Sequence, residues 1–308
     1  MTDDGNAGAA PIVVGIGEVL WDVFPERRRL GGAPANFAYH ASRQGARGVL
    51  VSAVGNDALG LEIANDLAAK NLETHLAVRE RPTGMVAVST DAAGVAHYAF
   101  APDCAWDDLP LPDAGTRALA RSCSAVCFGS LAQRDGRSRA AIRAFVDCVP
   151  AAALRVFDVN LRQEFFSEET LRESLRRATI LKLNEDELPV LAALFAGTKT
   201  PAAGAGGNEA FFDAIFAQFS SLEIVALTLG GAGSLAATRA GERSFVPAES
   251  GICVADTVGA GDSFTAGFVC ALLAGRDIPA AQTHAARLAG FVCSRAGAMP
   301  EIPSEFRL

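Results

Sequence analysis

The sequence predicts an α/β fold with a mostly parallel central sheet that is covered by helices on both faces. Short apolar runs alternate with amphipathic stretches along almost the whole chain of 308 residues. This alternation is typical of parallel sheets, because each helix carries the chain back to the start of the next strand. Half of the residues are apolar, which is enough to bury a large core.

The individual elements follow from apolar runs and from helical periodicity. Strands are predicted at residues 12–17, 49–54, 125–129, 154–159, 180–183 and 224–229. Helices are predicted at residues 34–43, 59–70, 138–148, 168–177, 185–195, 209–219, 261–274 and 280–295. Residues 196–207 are rich in small residues and are interpreted as a loop. We expect a disordered N-terminus over residues 1–10 and a single domain over residues 11–308.

Two regions, residues 21–32 and 83–106, break the alternation of strands and helices. The second contains two extended pieces around the turn 91–94, and neither region has a helical pattern. Extended pieces without intervening helices predict a small sheet outside the main one, which we interpret as a lid. The basic run Arg27–Arg29 is interpreted as a solvated turn, with a phosphate site as the alternative.

Composition and charge exclude several classes of partner. The net charge is −8, so we expect no nucleic-acid surface. The seven cysteines form no C-x-x-C pair, which favours reduced thiols in a cytoplasmic protein. The N-terminus lacks the features of a signal peptide, and no apolar run reaches the roughly 18 residues of a membrane span. We therefore expect a cytoplasmic protein without a nucleic-acid or membrane partner.

The stretch Asp256–Phe264 carries the most informative pattern, because glycines and a carboxylate stand directly before a helix. Gly259 and Gly261 have no side chains, so a ligand can approach the main chain closely. The first turn of a helix supplies free N–H donors, which makes it an anion site. Asp262 within such a site suits a base that accepts a proton from a hydroxyl during phosphoryl transfer. The alternative is that Asp262 only caps the helix.

Five stretches resemble, in the correct order, the motifs of the ribokinase family, also called the PfkB family of carbohydrate kinases. They are Gly31–Asn36, Asp158–Arg162, Asn184–Glu187, Thr228–Ser234 and Asp256–Asp262. The resemblance covers the chain from residue 12 to the C-terminus. It implies a ribokinase-like three-layer sandwich with a small β-sheet lid. It also implies transfer of the γ-phosphate of ATP to a primary hydroxyl of a monosaccharide, with magnesium as a cofactor.

The resemblance further implies a role for each matching residue. Phosphoryl transfer is expected of Gly259, Ala260, Gly261 and Asp262. The sugar is expected to contact Asp22, Gly31, Gly32, Asn36 and Arg162. The nucleotide is expected to contact Asn160, Asn184, Thr228, Gly230 and Gly233. Glu187 is the expected magnesium residue, acting through water, and a monovalent cation such as potassium is expected at Asp256, Val258 and Ser294.

The sugar itself stays open within the family. The segments Gly17–Asp22 and Gly31–Asn36 are most similar to bacterial fructokinase-like members, which implies fructose as the acceptor and fructose 6-phosphate as the product. A ribokinase, a 2-keto-3-deoxygluconate kinase and a nucleoside kinase are the alternatives. Related kinases pair through the lid sheet, so the resemblance also implies a homodimer.

Other classes fit the sequence less well. A Walker P-loop is excluded, because none of the lysines Lys70, Lys182 and Lys199 follows a glycine. A dinucleotide-binding motif after the first strand lacks its third glycine, as Leu20 stands there. The four histidines have no metal-ligand spacing. A non-catalytic sugar or nucleoside sensor on the same fold is the strongest competitor, but it would be expected to lack the base or the glycines beside it.

Overall fold

The chain is described from a computed structural model over residues 9–90, 96–197 and 208–308. Nine strands of this part form the central sheet: β1 (Ile12–Ile16), β4 (Arg47–Gly55), β5 (Glu73–Arg79), β8 (Ala125–Phe128), β9 (Leu154–Asp158), β10 (Ile180–Asn184), β11 (Ile224–Thr228), β12 (Ser234–Thr238) and β13 (Arg243–Val246). Their order is β13-β12-β11-β10-β9-β8-β1-β4-β5. The strands from β11 to β5 are parallel, and β12 and β13 are added antiparallel at one edge.

Helices cover both faces of this sheet. They are α1 (Ala33–Arg43), α2 (Ala58–Ala69), α3 (Ala114–Ser122), α4 (Gly136–Val146), α5 (Glu168–Arg177), α6 (Leu188–Phe195), α7 (Glu209–Gln218), α8 (Ala260–Leu273) and α9 (Ile278–Cys293). Because side chains alternate along a strand, Val14 packs with α3–α7 on one face and Val13 with α1 and α8 on the other. The expected α/β sandwich of three layers is confirmed.

A second sheet of four strands contains the two regions that break the alternation. Its strands are β2 (Leu20–Phe24), β3 (Arg27–Gly31), β6 (Met85–Thr90) and β7 (Ala96–Phe100), in the order β3-β2-β6-β7. The interpretation of Arg27–Arg29 as a turn is wrong, because a two-residue turn at Pro25 and Glu26 suffices and the arginines pair along β2. The predicted turn 91–94 lies outside the described residues.

The sequence missed elements at the edges of the central sheet. Strands β5 and β13 end the sheet on its two sides and are only partly buried, so they lack the uninterrupted apolar runs of the inner strands. Helix α3 is short, with only Leu119 and Ala120 buried. Of the other expected features, residues 1–8 of the N-terminus and 198–207 of the loop lie outside the described residues. No helix in the described ranges has the length and hydropathy to cross a membrane.

The parallel order brings the motifs of the sequence to one edge. The carboxyl ends of β9, β10 and β11 lead into Asn160, the Asn184–Glu187 segment and Gly230. In open α/β sheets this edge is where ligands bind. Helices α1 and α8, which follow Gly32 and Gly259, begin at the same edge.

Candidate active site

The carboxylate of Asp262 meets the amide of Asn36 at the centre of the site. Asn36 Nδ2 donates to Asp262 Oδ2 over 2.7 Å, although the two residues are 226 positions apart. Burial raises the pKa of Asp262 to about 6, and the neighbouring Asp158 carboxylate adds to the rise. The hydrogen bond from Asn36 and the charges of Lys182 and Arg162 act in the opposite direction. The carboxylate is therefore mostly ionised at neutral pH and yet more basic than an ordinary aspartate.

The turn that carries Asp262 is built from glycines for a packing reason. Gly259 has a φ of 80°, and a Cβ there would lie 2.7 Å from the Cβ of Ala298. No side chain of the described residues caps α8, so the alternative that Asp262 serves only as a helix cap finds no support. The N–H groups of Gly261 and Asp262 have no acceptor among the described residues. An anion such as a phosphoryl group fits this turn.

A buried ion pair lies directly beneath the turn. Lys182 Nζ donates to Asp158 Oδ1 over 3.2 Å, and Thr265 on α8 donates to Asp158 Oδ2 over 2.8 Å. Lys182 is only 5% exposed, and its Nζ is 3.2 Å from where a Cβ on Gly261 would stand. Lys182 lies outside all five motifs of the sequence. Its place inside the apolar strand β10 is the signal that could have identified it, because a buried lysine needs a partner of opposite charge.

Glu18 is a second buried charge that the sequence analysis passed over. It is 4% exposed, and its Oε1 accepts a hydrogen bond from the N–H of Ala33 over 3.3 Å. Its other oxygen has no partner among the described residues. Burial raises the pKa of Glu18 to about 7, and the charge of Asp262 contributes to the rise. Glu18 thus accepts a hydrogen bond from an N–H group at the start of α1, the helix that carries Asn36, where N–H groups have no acceptor within the helix.

The second sheet, which we interpret as the lid, contributes Asp22 and Gly31, and Gly32 follows directly after it. A Cβ on Gly31 would lie 2.5 Å from Asp22 Oδ2, so only glycine leaves room for this carboxylate. Gly32 has a φ of 113°, and its Cβ would lie 2.5 Å from the carbonyl oxygen of Glu18. Burial raises the pKa of Asp22 to about 6, while the charges of Arg162 and Arg29 lower it. Asp22, Gly31, Gly32 and Asn36 are therefore neighbours, as expected for a common ligand.

Asn160 and Arg162 lie together after β9. Asn160 adopts a positive φ of 46°, which is uncommon for a residue with a side chain. Its Oδ1 accepts a hydrogen bond from Arg162 Nη2 over 3.1 Å, while its buried Nδ2 has no partner among the described residues. Asn160, Asp158 and Asp262 line one narrow cavity. Arg162 is exposed beside this cavity, and its positive charge lowers the pKa of Asp262 and that of Asp22.

The Asn184–Glu187 segment forms a compact turn rather than the predicted first turn of α6. Asn184 Oδ1 accepts the N–H groups of Asp186 and Glu187 over 3.0 and 2.9 Å. The Glu187 carboxylate accepts the N–H of Leu161 through Oε1 and that of Asn184 through Oε2, both over 2.9 Å. These two bonds leave lone pairs for a water molecule, which fits a magnesium ion held through water. In the described ranges there is no group of three or more His, Cys, Asp or Glu residues with metal-binding geometry.

The three residues assigned to the nucleotide loop lie at the end of β11 and directly after it. Thr228 ends this strand, and its hydroxyl donates to the carbonyl of Leu183 over 3.4 Å. Gly230 has a φ of 51°, and a Cβ there would lie 3.3 Å from Glu185 Oε1. Gly233 has a φ of 119° and approaches the main chain of Val246, where a Cβ would lie 2.2 Å from the carbonyl oxygen. The exposed Gly230 therefore presents main chain toward the same edge as Asn184.

The residues assigned to a monovalent cation are close together, but Asp256 already has a cationic partner. Asp256 Oδ1 accepts the N–H of Val258 and Oδ2 that of Gly297, each over 3.1 Å. The guanidinium of Arg29 from β3 also donates to Oδ2. Burial raises the pKa of Asp256, but these three donors outweigh burial and the pKa is lowered. Ser294 ends α9, and its hydroxyl donates to the carbonyl of Phe291 over 2.7 Å. Because a guanidinium engages Asp256, this donor set does not fit a potassium ion.

Solved structures of sugar kinases have the same fold as this chain. A fructokinase of Xylella fastidiosa with bound ATP superposes with a TM-score of 0.78 at 22% identity, over 94% of both chains. An uncharacterized sugar kinase of Pyrococcus horikoshii in complex with ATP gives a TM-score of 0.75 at 25% identity, again over 94% of both chains. By sequence, 177 residues of a Pyrococcus horikoshii sugar kinase, 56% of its length, are 32% identical to 55% of this chain.

The sequence then defines the family. Residues 17–305 match the family described as pfkB family carbohydrate kinase, and the chain therefore belongs to the PfkB family. A fructokinase of Klebsiella pneumoniae is 31% identical over 273 residues, which are 84% of this chain and 83% of that protein. The protein is thus a phosphotransferase with a sugar alcohol group as acceptor.

We expect Glu18 to make stability depend on pH. Its pKa is about 7 in the folded chain against 4.5 for an ordinary glutamate, so the folded state holds a proton that the unfolded state releases between these values. The loss of stability that comes from ionising the buried Glu18 is absent below pH 4.5 and complete above pH 7, where it amounts to about 3 kcal/mol. Glu18→Gln should therefore raise the free energy of unfolding at pH 8 by up to about 3 kcal/mol and change it little at pH 4.5.

Urea denaturation at the two pH values measures this difference. The exposed Glu26→Gln is the matched control and should behave like the wild type at both. An equal effect of Glu18→Gln at pH 4.5 and pH 8 would contradict the prediction.

Lys182 and Asp158 should shift the pKa of Asp262 in opposite directions. The ammonium of Lys182 lowers this pKa and the carboxylate of Asp158 raises it. Lys182→Met is therefore expected to give a higher pKa than the wild type, and Asp158→Asn a lower one. Titration of the Asp262 carboxyl carbon by NMR measures both, with Asp262→Asn to assign the signal. Shifts of the same sign would show that the pair acts only through the packing of α8.

Proposed function

We propose that this chain transfers the γ-phosphate of ATP to the primary hydroxyl of a monosaccharide, with Asp262 as the catalytic base. The observation that carries the proposal is the position of this carboxylate. It is held by Asn36 beside the N–H groups of Gly261 and Asp262, which have no acceptor among the described residues. A base and an anion site within one helical turn suit the transfer of a phosphoryl group to a hydroxyl.

In the proposed reaction Asp262 accepts the proton of the attacking hydroxyl. A bond forms between the hydroxyl oxygen and the γ-phosphorus, and the bond from that phosphorus to the bridging oxygen of ADP breaks. The N–H groups of Gly261 and Asp262 stabilise the charge on the transferred group, and Gly259 and Ala260 shape the turn. Closure of the lid excludes water from this step.

The sugar is proposed to bind between the lid and α1. Asp22 offers carboxylate oxygens, and Asn36 offers an Oδ1 that is buried and has no partner among the described residues. An unpaired buried acceptor is costly, so a sugar hydroxyl that donates to it would gain affinity. Gly31 and Gly32 leave space for close approach, and Arg162 faces the same region.

The nucleotide is proposed to lie along the ends of β9, β10 and β11. Asn160, Asn184, Thr228, Gly230 and Gly233 border this region, as described above. ATP is supported by the ATP complex of the Pyrococcus horikoshii sugar kinase. When bound, magnesium would neutralise charge on the phosphates, and Glu187 would hold it through water while keeping its two N–H partners.

Fructose, with fructose 6-phosphate as the product, is our first choice of acceptor. It is supported by the segments Gly17–Asp22 and Gly31–Asn36 and by the relatedness to the Klebsiella pneumoniae fructokinase. Ribose, 2-keto-3-deoxygluconate and nucleosides remain alternatives with the same chemistry at Asp262. The homodimer implied by the family also remains a prediction.

A panel of fructose, ribose, 2-keto-3-deoxygluconate and adenosine, each tested for magnesium-dependent ATP consumption, examines this proposal. We expect fructose to give the highest kcat/KM, because the lid and α1 segments resemble those of fructokinases. If another sugar is the best acceptor, the assignment of fructose is wrong and the assignment of kinase activity stands. A panel member that binds in calorimetry while none consumes ATP would identify a sensor instead.

Replacement of Asp262 should slow catalysis strongly and largely keep sugar binding. Asp262→Asn retains the shape of the side chain but cannot accept the proton, so kcat should fall at least about a hundredfold. Calorimetry with the sugar and ADP measures binding, and Asp213→Asn on the exposed side of α7 is the matched control. A kcat near the wild-type value in Asp262→Asn would remove the assignment of the base.

A further inference from the structure

The three arginines of β3 have three different surroundings, and only one of them reaches the catalytic turn. Arg28 pairs with Glu62 on α2, and the guanidinium of Arg27 lies over the ring of Phe24 at 5.2 Å. Arg29 pairs with Asp256, which is 227 positions further along the chain. The last contact joins the lid to the segment that precedes α8.

The carboxylate of Asp256 accepts hydrogen bonds from three separate parts of the chain. Its two oxygens accept the N–H of Val258 in the turn, the N–H of Gly297 after α9 and the guanidinium of Arg29 in the lid. Val258 directly precedes Gly259, whose positive φ shapes the start of α8. The position of the Asp256 carboxylate therefore bears directly on the turn that presents the N–H groups of Gly261 and Asp262.

A positive charge at this carboxylate is what a monovalent cation would otherwise supply. Arg29 supplies it from the chain itself and brings directed N–H donors, which a spherical ion lacks. A potassium ion bound to the same oxygen would stand within a few ångströms of the guanidinium, and like charges at that distance repel strongly when partly buried. The Arg29 and Asp256 side chains are 24% and 16% exposed, so water screens this repulsion only in part.

We propose that Arg29 is a positioning residue that takes the place of a monovalent cation and fixes the Val258–Gly261 turn from the lid. The inference rests on the proposed phosphoryl transfer. It adds that this transfer does not require potassium. Arg29 also stands opposite Asp22 in the register of β2 and β3, and its charge lowers the pKa of Asp22. One guanidinium thereby links the proposed sugar-binding carboxylate to the phosphate-binding turn.

The test compares potassium, sodium and choline chloride at equal ionic strength in two measurements, kcat of phosphoryl transfer and thermal unfolding. The wild type should show the same kcat within about twofold and the same Tm in all three salts, because potassium has no site of its own. Arg29→Ala should lose about ten- to a hundredfold in kcat in choline, since the turn is no longer fixed. Potassium should restore part of this kcat and raise the Tm of the variant.

Two further variants separate positioning from packing. Arg28→Ala lacks the neighbouring guanidinium and should match the wild type in all salts. Arg29→Lys keeps one charge and should recover part of the kcat without potassium. Loss of kcat in Arg29→Ala that neither potassium nor Arg29→Lys recovers would overturn the proposal, as would unchanged kcat in Arg29→Ala.

Failure of the inference is distinct from failure of the proposed function. Activation or thermal stabilisation of the wild type by potassium, against sodium and choline, would overturn the inference while leaving the kinase intact. If no acceptor supports ATP consumption, the proposed function fails, and the Tm of the wild type and Arg29→Ala in the three salts still decides whether Arg29 occupies the cation's place.

Discussion

The buried pair of Lys182 and Asp158 is the interaction on which the site depends. It joins β9 and β10, and through Thr265 it connects the second turn of α8 to the sheet. Removal of two charges from water costs several kcal/mol per ion, so such a pair persists only where each charge is matched. Here Lys182 Nζ lies directly against Gly261, where a Cβ would stand only 3.2 Å from it, so the pair packs against the turn that carries Asp262.

Three carboxylates gather where the lid meets α1 and α8. Burial raises the pKa of Glu18, Asp22 and Asp262, and the charge of Arg162 lowers the pKa of all three. The N–H groups of Gly261 and Asp262 have no acceptor among the described residues. Carboxylates suit the hydroxyls of a sugar, and N–H donors suit phosphates. The site therefore offers partners for both groups that a sugar kinase joins.

Much of the fold was open to prediction because periodicity is a local property. The inner strands are apolar throughout, since helices cover both of their faces, and this pattern marked β1, β8 and β11. Strands β5 and β13 stand at the edges and carry no such pattern. The motifs around Asn36 and Asp262 were visible for a related reason, because glycine is required wherever main chain or a carboxylate approaches closely.

The sequence by itself determined the fold class, the family and the residues that gather at the carboxyl edge of the sheet. Tertiary structure alone decided which of them touch. Asn36 meets Asp262 across 226 positions, and Arg29 meets Asp256 across 227. No local pattern encodes such pairs, because they depend on how the lid and two helices pack on one sheet. For the same reason the buried carboxyl group of Glu18 emerges as part of the site only when the chain is folded.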